Sequence, residues 1–241
     1  MNNGFYYVNA IPSIYPVFLR DENGNTYVDP RTGLLAYDYG TELNRPFGFG
    51  INPAGSLRLD KMRQVQHTVN VQGGLEFKLY KGLKLMIDAG LHYNNNLASE
   101  LTNKYYGDAE DIGRILQQSS NTLAFSAKEL LEYNTTIGDH NIRAMVGHEN
   151  YYYRSGYLYG YKAYLADGES LNLSNAIQMN EIAGNEDGFA LDSYLATFSY
   201  IYGEKYMLTA NYRADGSSRY APGHRWGHFG SVGAAWTFTN E

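Results

Sequence analysis

Apolar and polar residues alternate along much of this chain with a period of two. The clearest stretch covers residues 64–79, where the odd positions are mainly apolar and the even positions mainly polar. Such alternation is typical of a β-strand with one face in an apolar environment and the other in water. A strand of about 15 residues is also much longer than the five or six of an ordinary globular strand.

The alternation is interrupted by short polar segments and then resumes, which predicts antiparallel hairpins. One turn lies at Tyr80-Lys81-Gly82, a second at 138–141 and a third at 203–205, between strands over 194–202 and 206–215. A last strand is predicted over 226–238. The intervening segments are polar and are predicted to be long loops, at residues 94–120, 154–190 and 216–225.

Short turns that alternate with long loops are typical of a transmembrane β-barrel. The tyrosines at 151–153, Tyr200 and Tyr202 are then predicted to lie in aromatic girdles at the membrane surfaces. A soluble β-sandwich with one wet face is the alternative reading of the alternation. Strand length and the difference between turns and loops argue against it. We therefore predict an all-β fold, an antiparallel transmembrane β-barrel segment.

The first 62 residues are less regular. An Asn-Gly turn within Asp21–Asn25 predicts a small hairpin between residues 15–19 and 26–28. A short helix is predicted over residues 108–118.

Composition narrows the classes of function. The chain has 24 tyrosines and 26 glycines, 44% hydrophobic residues, a net charge of -6 and no cysteine. The mean hydropathy of -0.45 means that apolar residues are interleaved with polar ones. An acidic chain lacks the basic footprint of a nucleic-acid-binding protein, and the absence of cysteine excludes disulfides and thiolate sites. No apolar run is long enough for a transmembrane helix, and the first residues do not read as a secretory signal.

The C-terminal part carries a specific resemblance. Asp215-Gly216-Ser217-Ser218-Arg219, followed by Arg225-Trp226-Gly227, resembles the SusC/RagA family of TonB-linked outer-membrane transporters. Asn52-Pro53, Lys81-Gly82-Leu83-Lys84 and Gly138-Asp139-His140 fit the same family. The resemblance follows most of the chain in order, and its specificity is concentrated in roughly the last 45 residues.

The resemblance implies a plugged barrel of about 22 strands. About seven or eight of them are predicted in this sequence. We therefore expect residues 1–241 to be a portion of a TonB-dependent receptor β-barrel, with the plug domain, signal peptide and remaining strands absent. The family implies a cell outer membrane location and import of oligosaccharides or peptides. Its implied partners are outer-membrane lipids, a SusD-like lipoprotein and the TonB complex, reached through an N-terminal region missing here. A surface-exposed structural or adhesive β-protein is the alternative.

No enzyme signature is found. The six histidines lack a His-Glu-x-x-His spacing or a zinc-like cluster. Asp21-x-Asn23-x-Asn25 superficially resembles a calcium loop, but Thr26 stands where the glycine is required and Thr32 where the glutamate is required. We therefore expect no catalytic residues, no cofactor and no metal.

Two groups of residues are candidates for function. Aromatic rings in the predicted loops can stack on sugar rings or simply pack the loops; they are Tyr105, Tyr106, Tyr157, Tyr159, Tyr161 and Tyr164. The eight residues of the family signature, Asp215 to Arg219 and Arg225 to Gly227, are favoured as a structural group. Charged side chains at a barrel rim more often fix a loop through hydrogen bonds and ion pairs.

Overall fold

A computed structural model describes residues 11, 13–41, 45–46 and 48–238 of the chain. Among them no helix is long and apolar enough to cross a membrane. The helical elements are α1 (Pro53–Leu59) and two 3-10 turns, Gly107–Ala109 and Leu173–Asn175. The strands are β1 (Val28–Asp29), β2 (Leu34–Leu35), β3 (Lys61–Tyr80), β4 (Leu83–Thr102), β5 (Arg114–Ile137), β6 (His140–Leu165), β7 (Ala176–Tyr202), β8 (Tyr206–Ser217) and β9 (Trp226–Trp236).

Strands β3 to β9 form one seven-stranded sheet in which spatial order follows chain order. The register of β7 and β8 pairs Tyr202 with Tyr206 and Asp192 with Gly216 in antiparallel fashion. β8 and β9 continue this arrangement, with Tyr206 opposite Trp236. The predicted antiparallel all-β fold is therefore confirmed. β1 and β2 form a separate two-stranded sheet.

The three predicted hairpin turns are confirmed. Each contains a glycine in the left-handed region, with φ of 77° at Gly82, 56° at Gly138 and 56° at Gly203. Glycine reaches this region without a steric penalty, so it permits the tight reversal between long strands.

The long loops predicted at residues 94–120 and 154–190 are wrong. β4 continues to Thr102, and β6 and β7 are 26 and 27 residues long. The connections shrink to residues 103–113 and 166–175, whereas the third connection, 218–225, is close to the prediction. The polar parts of these strands keep their backbone pairing although alternation has faded, because both faces there carry polar side chains.

The helix predicted over residues 108–118 is also wrong. Only the 3-10 turn Gly107–Ala109 forms there, and β5 begins at Arg114. Asp111 and Gly113 both have a φ of 63°, which ends right-handed helical geometry.

The predicted Asn-Gly turn is present near the start of the described residues. Gly24 has a φ of 81°, and a single bridge pairs Arg20 with Thr26 across the turn. The preceding segment does not continue as a hairpin with residues 26–28, because Phe18 pairs with Tyr37 instead. The turn is therefore confirmed, and the two flanking strands are not.

The chain folds as two compact units. The first comprises Met1–Gln66, Asn96–Ser120 and Tyr157–Asn185, and the second comprises His67–Asn95, Asn121–Gly156 and Glu186–Glu241. Two clusters form the core of the first unit. One is aliphatic, around Leu101 and Ile115, and the other is aromatic, around Tyr39 and Tyr106.

Buried polar contacts hold the first unit together. The side chain of Asn52 caps α1 by accepting from the backbone N–H groups of Ala54 and Gly55, both at 3.1 Å. Its Nδ2 donates to the carbonyls of Val17 and Asp38, at 2.8 and 2.9 Å. Asn52-Pro53 thus begins a short capped helix that leads into strand β3.

Candidate functional site

One face of the sheet in the second unit is apolar. On β7, β8 and β9 the even positions share this face, and the register places Phe198 beside Ala210 and Ala210 beside Val232. Val232 is 77% exposed, so large apolar side chains point away from the rest of the chain. The face comprises Tyr194, Ala196, Phe198, Tyr200, Tyr202, Tyr206, Leu208, Ala210, Tyr212, Ala214, Val232, Ala234 and Trp236.

Two aromatic rows bound this apolar face. Beside the hairpin turn, Tyr206 stacks with Tyr202 and with Trp236, each pair at 6.5 Å between ring centroids. Further along, Tyr194 contacts Trp226 at 5.8 Å. Tyr194 and Tyr202 are eight positions apart, about 26 Å of extended strand. A tilted strand needs about 9–11 residues to cross the hydrocarbon core of a membrane, and Tyr194 to Tyr202 are nine residues.

The opposite face of the second unit carries paired charges. Arg213 donates to Glu149 at 2.9 Å through Nη2 and to Asp215 at 2.7 Å through Nε. Lys128 lies 3.8 Å from Asp88. These five residues line, or adjoin, a depression of about 320 Å³ that we call the charged depression.

A second depression on the polar face is lined by no aspartate, glutamate, lysine or arginine side chain among the described residues. It has a volume of about 500 Å³ and shares Gln72, Gly90, Ser126 and Tyr151 with the charged depression. We call it the amide depression. Its polar lining consists of Asn70, Gln72, His92, Thr122, Ser126, Tyr151 and Tyr153.

Three aromatic rings lie together beside the amide depression. Phe189 contacts Tyr151 at 5.9 Å and Tyr153 at 5.3 Å between centroids. The guanidinium of Arg219 lies over the Phe189 ring at 4.5 Å and also pairs with Asp187 at 3.2 Å. The tyrosine rings are therefore packed against a side chain that is itself held by an arginine.

The predicted girdle position of Tyr151 and Tyr153 is wrong. Both line the amide depression on the polar face, whereas Tyr152, between them, lies on the opposite side of the pleated strand. Sequence reasoning grouped the three as one cluster. The signal that separates them is the parity of β6, since alternate residues face opposite sides.

The family signature closes the connection between β8 and β9. Gly216 faces Trp226 so closely that an added Cβ would lie 3.0 Å from the indole. The N–H of Ser217 donates to the carbonyl of Arg225 at 3.0 Å, and the Ser218 hydroxyl accepts from the N–H of Ala190 at 2.8 Å.

The remaining signature residues add further contacts. Arg225 donates from Nε to the carbonyl of Tyr220 at 3.2 Å, and Gly227 lies against the ring of Phe229. Asp215 and Arg219 make the ion pairs already described. The turn is thus held by side-chain and backbone contacts within the second unit. A purely structural role for these eight residues stays a prediction.

The two candidate tyrosines in the 103–113 connection lie in the aromatic cluster of the first unit. Tyr106 stacks on Tyr39 at 5.2 Å with an interplanar angle of 3° and is only 6% exposed. Its hydroxyl donates to Asp29. Tyr105 packs against the same cluster. Burial raises the pKa of Tyr39 to about 12.

Four candidate tyrosines lie in strand β6, not in a loop, so that part of the prediction is wrong. Tyr157, Tyr159 and Tyr161 occupy alternate positions and share one face of the strand. Tyr164 is 46% exposed and has a φ of 62°, an unusual backbone conformation for a bulky residue. Two of the six rings lie in the 103–113 connection and four in β6, and ligand contact by any of them stays a prediction.

In the part of the chain that the structure describes, no group of three histidine, aspartate or glutamate side chains is placed to hold a metal ion.

Comparison with known proteins gives distant relatives of one kind. TonB-dependent receptor P39 of Formosa agariphila is 24% identical over 221 residues, 90% of this chain. TonB-dependent receptor SusC of Bacteroides thetaiotaomicron is 25% identical over 201 residues, 79% of this chain. The chain is SusC/RagA-like. No protein-family model matches it.

Solved structures share the fold of the SusC/RagA-like chain. The RagAB peptide transporter aligns with a TM-score of 0.73 and 22% identity, over 87% of this chain and 24% of that one. The RagAB importer in its open-open state aligns with the same TM-score over the whole chain, at 21% identity. The SusC/RagA-like chain spans 21% of P39 and 19% of SusC, so it corresponds to about a fifth of the length of these relatives.

Proposed function

We propose that the chain forms part of the wall of an outer-membrane, TonB-dependent importer of oligosaccharides or peptides. The observation that carries this proposal is the two-faced sheet of the second unit. Its apolar face has an aromatic row at each border, and the nine residues from Tyr194 to Tyr202 fit the 9–11 or so that a tilted strand needs to cross a membrane. Its opposite face is polar and charge-paired. The relatives are receptors and transporters, so we propose transport without chemical conversion of the ligand.

In this proposal the apolar face contacts outer-membrane lipids, and the polar face lines the path of the ligand. Within the seven-stranded sheet, each of the five inner strands has a hydrogen-bonded neighbour on both sides. The exposed edges of β3 and β9 need further strands before such a sheet can lie in lipid, because hydrocarbon offers no hydrogen-bond partners. We propose that the remaining strands and a plug come from the rest of a longer protein, of which residues 1–241 are one portion.

The proposed partners follow from the similarity to TonB-dependent receptors. We propose that a SusD-like lipoprotein delivers the ligand, and that the TonB complex supplies energy through a segment outside these 241 residues. We propose that the lipoprotein contacts the first unit, which is held together by the buried Asn52 and Tyr106 contacts. Its tyrosines Tyr157, Tyr159, Tyr161 and Tyr164 are proposed ligand contacts, together with Tyr105.

The test uses the natural gene product that carries this chain. We expect it in outer-membrane fractions, resistant to extraction with alkaline carbonate. Disruption of its gene is expected to abolish growth on one class of polymer, and a protonophore is expected to stop uptake. A protein found at the surface whose disruption leaves growth on every oligosaccharide and peptide unchanged, but reduces attachment to surfaces, favours the adhesive alternative and contradicts transport.

A further inference from the structure

We infer that the amide depression is a binding site for an uncharged sugar ring, with Tyr151 and Tyr153 as its aromatic wall. This inference rests on the proposed function and selects one substrate class for it. The depression is formed entirely by side chains and backbone of the second unit. It lies on the polar face, which is the face that the proposed function assigns to the ligand path.

The polar lining supplies the hydrogen bonds that hydroxyl groups need. Asn70 and Gln72 each carry both a donor and an acceptor, and Thr122 and Ser126 add hydroxyls. Asn70 is paired with the ring of His92, so its amide is held in place before a ligand arrives. Side chains fixed in this way bind at a lower entropic cost.

The aromatic wall supplies the second element of sugar recognition. A sugar ring presents C–H groups on its faces and hydroxyls around its edge, so an aromatic ring next to polar side chains matches both. Tyr151 and Tyr153 line the depression alongside those side chains. The volume of about 500 Å³ lies within the 300–1,000 Å³ usual for small-ligand sites.

The charge distribution favours an uncharged ligand over a peptide or an acidic sugar. Apart from its tyrosines, His92 is the one titratable side chain among the described residues lining the amide depression. The charges lining the adjoining charged depression are paired, Lys128 with Asp88 and Arg213 with Glu149, and Arg219 behind the aromatic wall is paired with Asp187. A ligand charge would break such pairs or remain unpaired, and either outcome costs free energy.

Arg219 acts in this site as a positioning residue. It covers one ring, Phe189, which in turn packs against Tyr151 and Tyr153. The guanidinium of Arg219 also donates a hydrogen bond to the Asp187 carboxylate. The signature turn therefore connects to the aromatic wall through a continuous set of contacts, and loss of the arginine should loosen both tyrosines.

The experiment measures ligand binding by calorimetry with the detergent-purified natural gene product. The probes are neutral hexasaccharides of glucose, xylose and mannose, compared with hexagalacturonate and a lysine- and glutamate-containing hexapeptide. We expect at least one neutral probe to bind. Tyr151→Ala and Tyr153→Ala should each weaken that binding about tenfold. Tyr152→Ala, one position away on the opposite face, is the matched control and should bind as the unaltered protein does.

The positioning role is tested in the same assay. Arg219→Ala and Phe189→Ala should each weaken binding of the neutral probe several-fold, and the double variant should be no weaker than the poorer single variant. Arg219→Lys should restore part of the affinity because it keeps a cation over the ring. Heat-modifiable mobility in gels, which reports folded barrels, must be equal for all variants compared.

Three results would overturn the inference. They are preferential binding of the charged hexapeptide or hexagalacturonate, failure of every neutral hexasaccharide to bind, and equal affinity of the Tyr151→Ala, Tyr153→Ala and Tyr152→Ala proteins. Equal affinity of the three variants is also the result expected if another part of the same protein fills the depression. Each is separable from failure of the transport proposal, since TonB-dependent uptake in cells is measured without reference to these side chains.

Discussion

Arg45 and Asp38 form a buried ion pair in the first unit, with 2.9 Å between Nη2 and Oδ1. Their side chains are 4% and 5% exposed. The guanidinium also donates to the backbone carbonyls of Gly48 and Ile51, at 3.4 and 3.3 Å, and lies over the ring of Tyr15. One arginine therefore satisfies both a buried charge and several buried carbonyl groups.

Arg45→Leu is expected to destabilise the first unit by about 3–5 kcal/mol, because it leaves the Asp38 carboxylate buried without a partner. Protease resistance of the folded protein at rising temperature is the measurement. Arg20→Leu is the control, since that arginine is exposed and contacts the carbonyl of Gly24. Equal resistance of the two variants would contradict the assigned role of the pair.

The stability of the first unit should decrease at low pH because of the Asp29 carboxyl group. Burial alone would raise the pKa of this carboxyl, but hydrogen bonds from Arg31 and Tyr106 outweigh burial and hold the pKa below its ordinary value. A depressed folded-state pKa stabilises the fold above the unfolded-state pKa of about 3.9. That stabilisation is lost as pH falls through the folded-state pKa.

Protease resistance of the first unit between pH 7 and pH 2 should therefore fall in the acid range for the unaltered protein. Asp29→Asn should be less stable at pH 7 and show a weaker change with pH. Glu22→Gln alters an exposed acid and serves as the control. An unchanged pH profile in Asp29→Asn would count against the Asp29 contacts as the cause.

The two faces of β8 should differ in their contact with lipid. Leu208 and Ala210 lie on the apolar face, while Thr209 and Asn211 lie on the polar face. Because the chain contains no cysteine, a single cysteine placed at each position can carry a nitroxide label. Labels at 208 and 210 are expected to collide with oxygen dissolved in lipid, and labels at 209 and 211 with a water-soluble nickel complex. Equal accessibility at all four positions would rule out the membrane assignment of this face.

A side chain at Gly216 is predicted to destabilise the β8–β9 pair. An added methyl would lie 3.0 Å from the Trp226 ring, so in Gly216→Ala the indole has to shift by a few tenths of an ångström. Overpacking of this kind costs about 1–3 kcal/mol. Gly230→Ala is the matched control on β9, where the nearest atom would be 3.7 Å away. The temperature at which heat-modifiable mobility is lost should fall for Gly216→Ala only.

The sequence predicts well the part of the fold that carries the apolar face, because one face of the strands there is apolar and the other is polar. The turns at Gly82, Gly138 and Gly203 follow from that alternation together with glycine chemistry. The prediction fails beyond the apolar face. Residues 178–186 of β7, for example, carry polar side chains on both faces, so pairing continues without a hydropathy signal.

The candidate site was only partly predictable because its contacts join residues that are far apart in the sequence. The contact between Tyr106 and Asp29 joins residues 77 positions apart, and Arg219 reaches Asp187 across 32 positions. Neither pairing has a local sequence signal. The signature turn was recognised by resemblance, whereas its connection to Phe189 and the two tyrosines becomes visible only in the folded sheet.

The length of β6 and β7 has a consequence for how antibodies and surface proteases would encounter such a protein. These strands have 26 and 27 residues, more than twice the 9–11 or so that a tilted strand needs to cross a membrane. If they project from the cell in the proposed orientation, a stretch such as 178–186 is displayed as paired backbone. An antiserum raised against the free linear peptide should then recognise intact cells poorly, and cleavage on living cells should concentrate in the more exposed 166–175 connection.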